Sequence, residues 1–317
     1  MVSILVPIYN VAPFIERCCR SLFEQSYHDI EYIFVDDASP DNSVDILKNT
    51  LKDYPERMDA VKIISHPYNK GIAVARNTSV ANAAGEYVLH VDSDDWLEKD
   101  AVELLMNTAL RGNADIVYSD FKEIRQDSTN ILPNPDISDG REYAKSLLCR
   151  KSLTHVIGKL IKRSIISDND IRAIEGLNQG EDYLITPRLA YHSEKVAKAP
   201  NPIYNYNRLN ICSYTANVND KGIDMVIRVQ QHLVDYFSHI PDADDFRSTI
   251  MKSCIYNKLT CFYCGPFSSY KKISELYRDI DWKKMNLSMK QKLVLFLSDT
   301  RQLNLLHRLI SFANKKV

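Results

Sequence analysis

The sequence has little that would set it in a membrane or among disulfide-built proteins. Its longest apolar runs, such as Leu293–Leu297, fall far short of the roughly 20 residues that cross a bilayer. The opening residues, MVSILVPIYN, carry no basic stretch and meet Pro7 and Asn10 too soon for an export signal, so the expected location is the cytoplasm. Seven scattered cysteines, at 18, 19, 149, 212, 254, 261 and 264, then read as reduced thiols. Cys261-x-x-Cys264 lacks both the second Cys/His pair of a zinc site and the βαβ context of a redox motif, so packing thiols are expected. An excess of one charge is also missing. The 40 Lys and Arg against 41 Asp and Glu leave a net −1, which gives no overall basic field for nucleic acid. What remains, 317 residues at 45% hydrophobic and 26% charged, suits one or two globular domains and excludes disorder and collagen.

Over the first 120 residues, short apolar β-branched runs alternate with segments of helical period, the pattern of a mainly parallel sheet covered by helices. Strands are predicted at Val2–Pro7, Glu31–Val35, Val61–Ser65, Tyr87–Val91 and Ile116–Tyr118. Ser39 before Pro40 predicts an N-cap and a helix reaching about Tyr54, and Gly71 and Gly85 bracket an alanine-rich helix. Prolines at 133, 135, 187, 200 and 202 break the middle of the chain into short elements, and Gly180-Glu181-Asp182 opens a helix through Tyr191. Beyond about Asn217 only helical periodicity remains, including Ile223–Ser238 and Met289–Phe312.

In an open parallel sheet the ligand crevice lies at the carboxyl ends of the strands. The polar residues there are Tyr9 and Asn10, then Asp36 and Asp37, then His66, then Asp92, Ser93, Asp94 and Asp95. In Asp92-Ser93-Asp94 strand alternation puts both acids on one side, where they repel unless a cation lies between them. Mg²⁺ or Mn²⁺ suits such oxygen ligands and leaves positions for a diphosphate; the alternative is a solvated loop with Asp95 capping the next helix. Asp36 or Asp37 can accept from a ribose hydroxyl or a pyrimidine N–H. Glu181 and Asp182 either serve an acceptor or simply favour the dipole of their helix.

VSILVPIYN, the C-x-x-S-L-x-x-Q-S-Y segment from Cys18 to Tyr27, YIFVDDAS, NKGIAVARN, GEYVLHVDSDDWL, GKLIKRSII and GEDYLI stand here in one order. Together they resemble the family 2 glycosyltransferases over roughly residues 1–215. The α-helical C-terminal region, read from its periodicity, lies outside the resemblance, which implies an α/β GT-A fold, Rossmann-like, with helices on both faces. Residues 1–120 would form its nucleotide-sugar-binding half, 121–215 its acceptor-binding half and 216–317 a separate helical region. It further implies Pro7 and Tyr9 against the base, Asp37 on the uracil, and Asp36 shaping the same pocket. Asn69, Lys70, Gly71 and Arg76 would close over the nucleotide. Asp94 would bind Mn²⁺ or Mg²⁺, with Asp92 and Ser93 beside it at the ion or the ribose. Asp182 would be the base of an inverting transfer, with Glu181 orienting the acceptor.

The implied donor is a nucleotide sugar, UDP-linked by first choice, and the implied acceptor a glycan or lipid-linked hydroxyl in surface polysaccharide synthesis. A sugar-phosphate nucleotidyltransferase would want a Gly-rich loop where Pro7-Ile8-Tyr9-Asn10 stands. A non-catalytic nucleotide-sugar-binding or scaffolding module is the other alternative. His155 and His192 are candidates for an extra metal ligand or acceptor contact, although isolated histidines are more often structural. Tyr204 and Tyr206 alternate in a predicted strand within Ile203–Thr215 that leads into a Ser-x-Thr stretch, and core is their expected place. The C-terminal helices carry apolar stripes among Lys290, Lys292, Arg301, Arg308, Lys315 and Lys316. Docking, a homodimer, or peripheral contact at the inner face of the membrane are the readings open to them.

Overall fold

The computed structural model describes residues 1–210 and 218–314, with side chains to Phe312. Cys212, Ser213, Thr215, Lys315 and Lys316 lie outside the described residues. The chain divides into two compact units, Met1–Leu147 with Lys151–Ile211, and Leu148–Arg150 with Cys212–Val317.

The first unit holds eleven strands. They are β1 (Val2–Ile8), β2 (Ile30–Asp36), β3 (Val61–Ser65), β4 (Tyr87–His90), β5 (Trp96–Leu97), β6 (Ile116–Tyr118), β7 (Phe121–Ile124), β8 (Thr129–Leu132), β9 (Leu160–Lys162), β10 (Val196–Lys198) and β11 (Tyr204–Asn207). Between them run α1 (Ile15–Phe23), α2 (Ser43–Leu51), α3 (Ile72–Ala81), α4 (Ala101–Gly112), α5 (Gly140–Leu148), α6 (Arg163–Asp168) and α7 (Glu181–Tyr191). Seven strands form the central sheet in the order β10-β6-β9-β4-β1-β2-β3, parallel except at β9; β5-β11-β7-β8 make a second sheet. The predicted parallel α/β architecture is therefore the observed one.

Every residue of β1 is buried, which requires cover on both faces and explains why its sequence is a continuous apolar run rather than an alternating one. The chain leaves β1 toward β2 on one side, while β4 pairs on the other. The carboxyl ends of β1 and β4 thus flank the point where strand order reverses, the usual ligand crevice of such a sheet. β6 precedes position 120 and β9 and β10 follow it, yet all three share this sheet.

Two local expectations fail. Ser39 does not cap a helix at Pro40: α2 begins at Ser43, and the Ser39 hydroxyl instead accepts from the Asn10 amide at 2.8 Å. The local capping signal yields to a tertiary contact that ties the β1 and β2 loops together.

The second unit is helical: α8 (Asp220–Ser238), α9 (Ala243–Cys264), α10 (Tyr270–Glu275), α11 (Met289–Asp299) and α12 (Leu303–Asn314). Its core gathers Ile223, Ile227, Leu259, Phe262, Leu295 and Leu306. The helix predicted over Met289–Phe312 is two helices, because the chain turns at Thr300–Gln302 with Arg301 at φ 57°. Cys254 and Cys261 of this unit, and Cys18 and Cys19 of the first, are free and buried, as packing thiols would be. Among the described residues no helix is long and apolar enough to cross a membrane.

Candidate active site

The loops after β1 and β2 are laced together. Amides of Asn10, Val11 and Ala12 donate to Ser39 Oγ, Ser43 Oγ and Asp41 Oδ2 at 2.8, 3.1 and 2.8 Å, and Asp36 Oδ1 accepts from the Ser39 amide at 2.8 Å. This leaves Tyr9 at 47% exposure just beyond Pro7, a flat aromatic surface at the mouth of the crevice.

Asp37 lies just after β2, beside the 66–71 loop. It is 3% exposed, and its oxygens accept from the amides of Lys70 and Gly71 at 2.9 and 2.7 Å, with His66 Nδ1 at 2.7 Å. A buried carboxylate so engaged holds the 66–71 loop in place. Gly71 follows at φ 88°, a left-handed conformation that favours glycine. A Cβ there would stand 2.2 Å from Asn178 Nδ2, and Asn178 Oδ1 in turn accepts from the Ala73 amide at 3.2 Å. Asn69 lies exposed and Lys70 half-buried on this loop, and the Lys70 ammonium sits 5.5 Å over the Tyr68 ring.

The acid-rich turn after β4 is pinned from a distance. Asp95, 1% exposed, accepts from the Tyr204 hydroxyl and the Asn207 amide, each at 2.7 Å, so it anchors the turn to β11 and caps no helix. Tyr204, itself fully buried, takes the Asp92 amide at 3.1 Å. Asn207 Nδ2 donates to the Asp94 carbonyl at 3.0 Å, and Asn210 Nδ2 to Asp94 Oδ2 at 2.8 Å. Ser93 is 5% exposed and adds little surface to the cleft. Burial, with Asp92 adjoining, pushes the Asp94 carboxyl up to about 6.

Arg76 of α3 is 3% exposed and joins the two groups of acids. Its Nη2 donates to Asp92 Oδ1 at 3.1 Å, and its Nε lies 3.5 Å from Asp182 Oδ1 and 3.8 Å from Glu181 Oε1. Both of those acids occupy the first turn of α7, which starts at Gly180 in the left-handed conformation with φ 89°, as the sequence predicts. Three carboxylates thus face one guanidinium. Burial, and Asp182 beside it, push Glu181 up to about 8, and burial raises Asp92. Lys159, whose ammonium donates to the carbonyls of Leu153 and His155, is brought down to about 7 by burial. Among the described residues, Asp182 Oδ1 and the Arg76 Nε and Nη1 are buried without a hydrogen bond, Nε and Oδ1 facing each other as an ion pair.

His155 stacks between Phe121 and Tyr206 near Asp92, and burial brings it down to about 4, so it sits neutral beside the cluster. His192 caps the far end of α7, away from these acids. Behind Arg76 a cavity of about 300 Å³ runs between α3 and α7, lined by His90, Val80, Val156, Ile185 and Leu189 among others; neither Asp94 nor Tyr9 borders it. Tyr204, Asn207, Asn210, Asn178 and His66 were not legible as a group, since each acts on a partner far away in sequence or on its own loop.

Among the described residues no three His, Cys, Asp or Glu side chains gather to enclose a metal unaided. The donor set still fits an ion that brings its own ligands: Arg76 occupies one Asp92 oxygen, and Asp94 carries concentrated negative charge in a partly buried place. Mg²⁺-type ions bind nucleotides in this way, through one or two carboxylates with phosphate and water completing the shell.

Comparison with known proteins shows the family to which the chain belongs. TarS of S. aureus superposes with a TM-score of 0.71 at 16% identity, over 99% of this chain and 91% of that one, and it has also been solved with UDP-GlcNAc. The cholesterol galactosyltransferase of Borreliella burgdorferi is 28% identical, across 96% of this chain and 84% of its own. YibD of Escherichia coli, an uncharacterised glycosyltransferase, is 29% identical across 64% of this chain, and the match spans only 60% of its length. The model of glycosyl transferase family 2 matches residues 3–168, more than half of the sequence, and the chain belongs to that family.

Proposed function

We propose that this glycosyltransferase moves a sugar from a nucleotide sugar, UDP-linked by first choice, to a hydroxyl of a glycan or lipid-linked acceptor, with inversion at the anomeric carbon. The observation that carries the reading is the Arg76 guanidinium in contact with both Asp92 and Asp182, since it puts donor-side and acceptor-side acids around one centre. Pro7 and Tyr9 border the base, Asp37 meets the uracil, and Asp36 shapes the same pocket. Asn69 and Lys70 cover the nucleotide from a loop that Asp37 holds shut.

Asp94 first, and the free oxygen of Asp92 second, would hold Mn²⁺ or Mg²⁺. When bound there, the ion supplies Lewis-acid neutralisation of the departing nucleoside diphosphate. Asp182 takes the acceptor proton on its carboxylate, and Glu181, protonated over much of the working range, orients the acceptor by donating a hydrogen bond. A base acting opposite the leaving group makes a single displacement and inverts the sugar, by the logic that separates inverting from retaining hydrolases. UDP is supported by TarS having been solved with UDP-GlcNAc, and a hexosyl donor by the galactosyl transfer named for the Borreliella relative. We assign the role to surface polysaccharide synthesis in the cytoplasm, where the free, buried thiols are at home.

Incubated with UDP-sugars and Mn²⁺ but no acceptor, the protein is expected to release UDP slowly, to stop on chelation, and to act less on GDP- or dTDP-sugars. No release from any of the donors would favour a pure binding module and remove the catalytic reading.

A further inference from the structure

We propose that α11 and α12 form a docking face for an anionic phospholipid surface. α11 exposes Met289, Leu293 and Phe296 at 82%, 47% and 50%, and α12 exposes Leu305, Leu309 and Phe312 at 46%, 42% and 62%. In each helix the three stand at i, i+4 and i+7, which is one stripe of an α-helix. Each helix already fills the core with another side: Val294, Leu295 and Leu297 from α11, Leu306 and Ile310 from α12. The outward stripes lie on another side of each helix and stay exposed. One exposed leucine needs no explanation, but an exposed apolar stripe on each of two adjoining helices calls for one.

Charge indicates what covers it. From Lys283 onward the sequence carries eight Lys or Arg and a single acid, Asp299, in a chain whose net charge is −1. Asp299 is spoken for, accepting from the Trp282 indole at 2.8 Å with the Lys258 ammonium 3.9 Å away. Arg301 pairs with Glu275, while Lys290, Lys292 and Arg308 are interspersed with the two stripes. A second copy would bring the same positive charge to a self-complementary contact, which opposes that occupant. Nucleic acid would answer the cations but not the phenylalanines and leucines. A bilayer with anionic headgroups answers both, phosphate to the cations and acyl chain to the apolar stripes. At 11 and 12 residues the helices are too short to span and suit lying in the interface.

The proposal does not rest on the donor assignment. The test is flotation of the whole chain with vesicles of phosphatidylcholine alone and of phosphatidylcholine mixed with phosphatidylglycerol. Flotation with the mixed vesicles only, reversed by salt, is expected. Lys290→Glu, Lys292→Glu and Arg308→Glu together should cut partitioning by on the order of a hundredfold, and Phe296→Asp with Leu309→Asp should abolish it. Because these positions are on the surface, thermal unfolding and UDP release by the free chain should not change. Failure to float, or equal binding to both vesicles, overturns the proposal. So does conversion of an oligomer to a monomer by Phe296→Asp with Leu309→Asp without any vesicle binding, which would give the face to a second copy.

Discussion

Asp182→Asn is expected to lower turnover by on the order of 10²–10⁴-fold, the usual contribution of a positioned base, while UDP affinity stays at the wild-type value. The amide keeps the shape of the carboxylate but cannot take a hydroxyl proton. Nor should the fold suffer, because the change removes one of three acids crowded around a single guanidinium. A fall in turnover with unchanged donor affinity and an undiminished melting temperature separates this role from a structural one. Wild-type turnover in the variant would end the assignment of Asp182 as base.

Arg76→Met is expected to cost about 3–5 kcal/mol of stability near neutral pH, the penalty for leaving buried charges without their partner, and to abolish transfer. It strips from Asp92, Glu181 and Asp182 the cation that all three contact among the described residues. The pH dependence gives this prediction a sign. Glu181 titrates at about 8 in the fold against an ordinary 4.5, so its contribution is harmless while both states are protonated and becomes destabilising as pH climbs between those values. Without Arg76, Asp92 and Glu181 hold their protons more tightly still, and the loss steepens. Urea denaturation should thus find the variant most damaged near pH 8 and partly restored near pH 5. An equal loss at both, or none, would mean that the guanidinium is not neutralising these acids.

The strands were legible because β1, β2 and β4 are apolar runs that stop at acids or, in β1, at Tyr-Asn. The start of α7 was legible because a glycine in the left-handed conformation precedes two acids. What escaped was set by long-range contact. Asn207 and Asn210 position Asp94 from 113 and 116 residues away, and Asn178 closes on Gly71 and Ala73 from across the unit. Two neighbouring acids, Asp36 and Asp37, look alike in sequence, yet only the second is drawn under the 66–71 loop by two amides and an imidazole. Arg76, on an alanine-rich helix, could have been a surface ion pair; its burial depends on acids contributed by β4 and α7. The break between α11 and α12 has no glycine or proline to mark it, since Arg301 itself takes the positive φ.

The account turns on a division of labour between Asp94, which meets the donor through a cation, and Asp182, which meets the acceptor. Calorimetric titration of UDP into the wild type, Asp94→Ala and Asp182→Asn, each with and without Mn²⁺, tests that division in one measurement. Mn²⁺ should tighten UDP binding to the wild type and to Asp182→Asn alike, and should do little for Asp94→Ala. A wild type indifferent to Mn²⁺, or an Asp94→Ala variant that responds as strongly as the wild type, would contradict it.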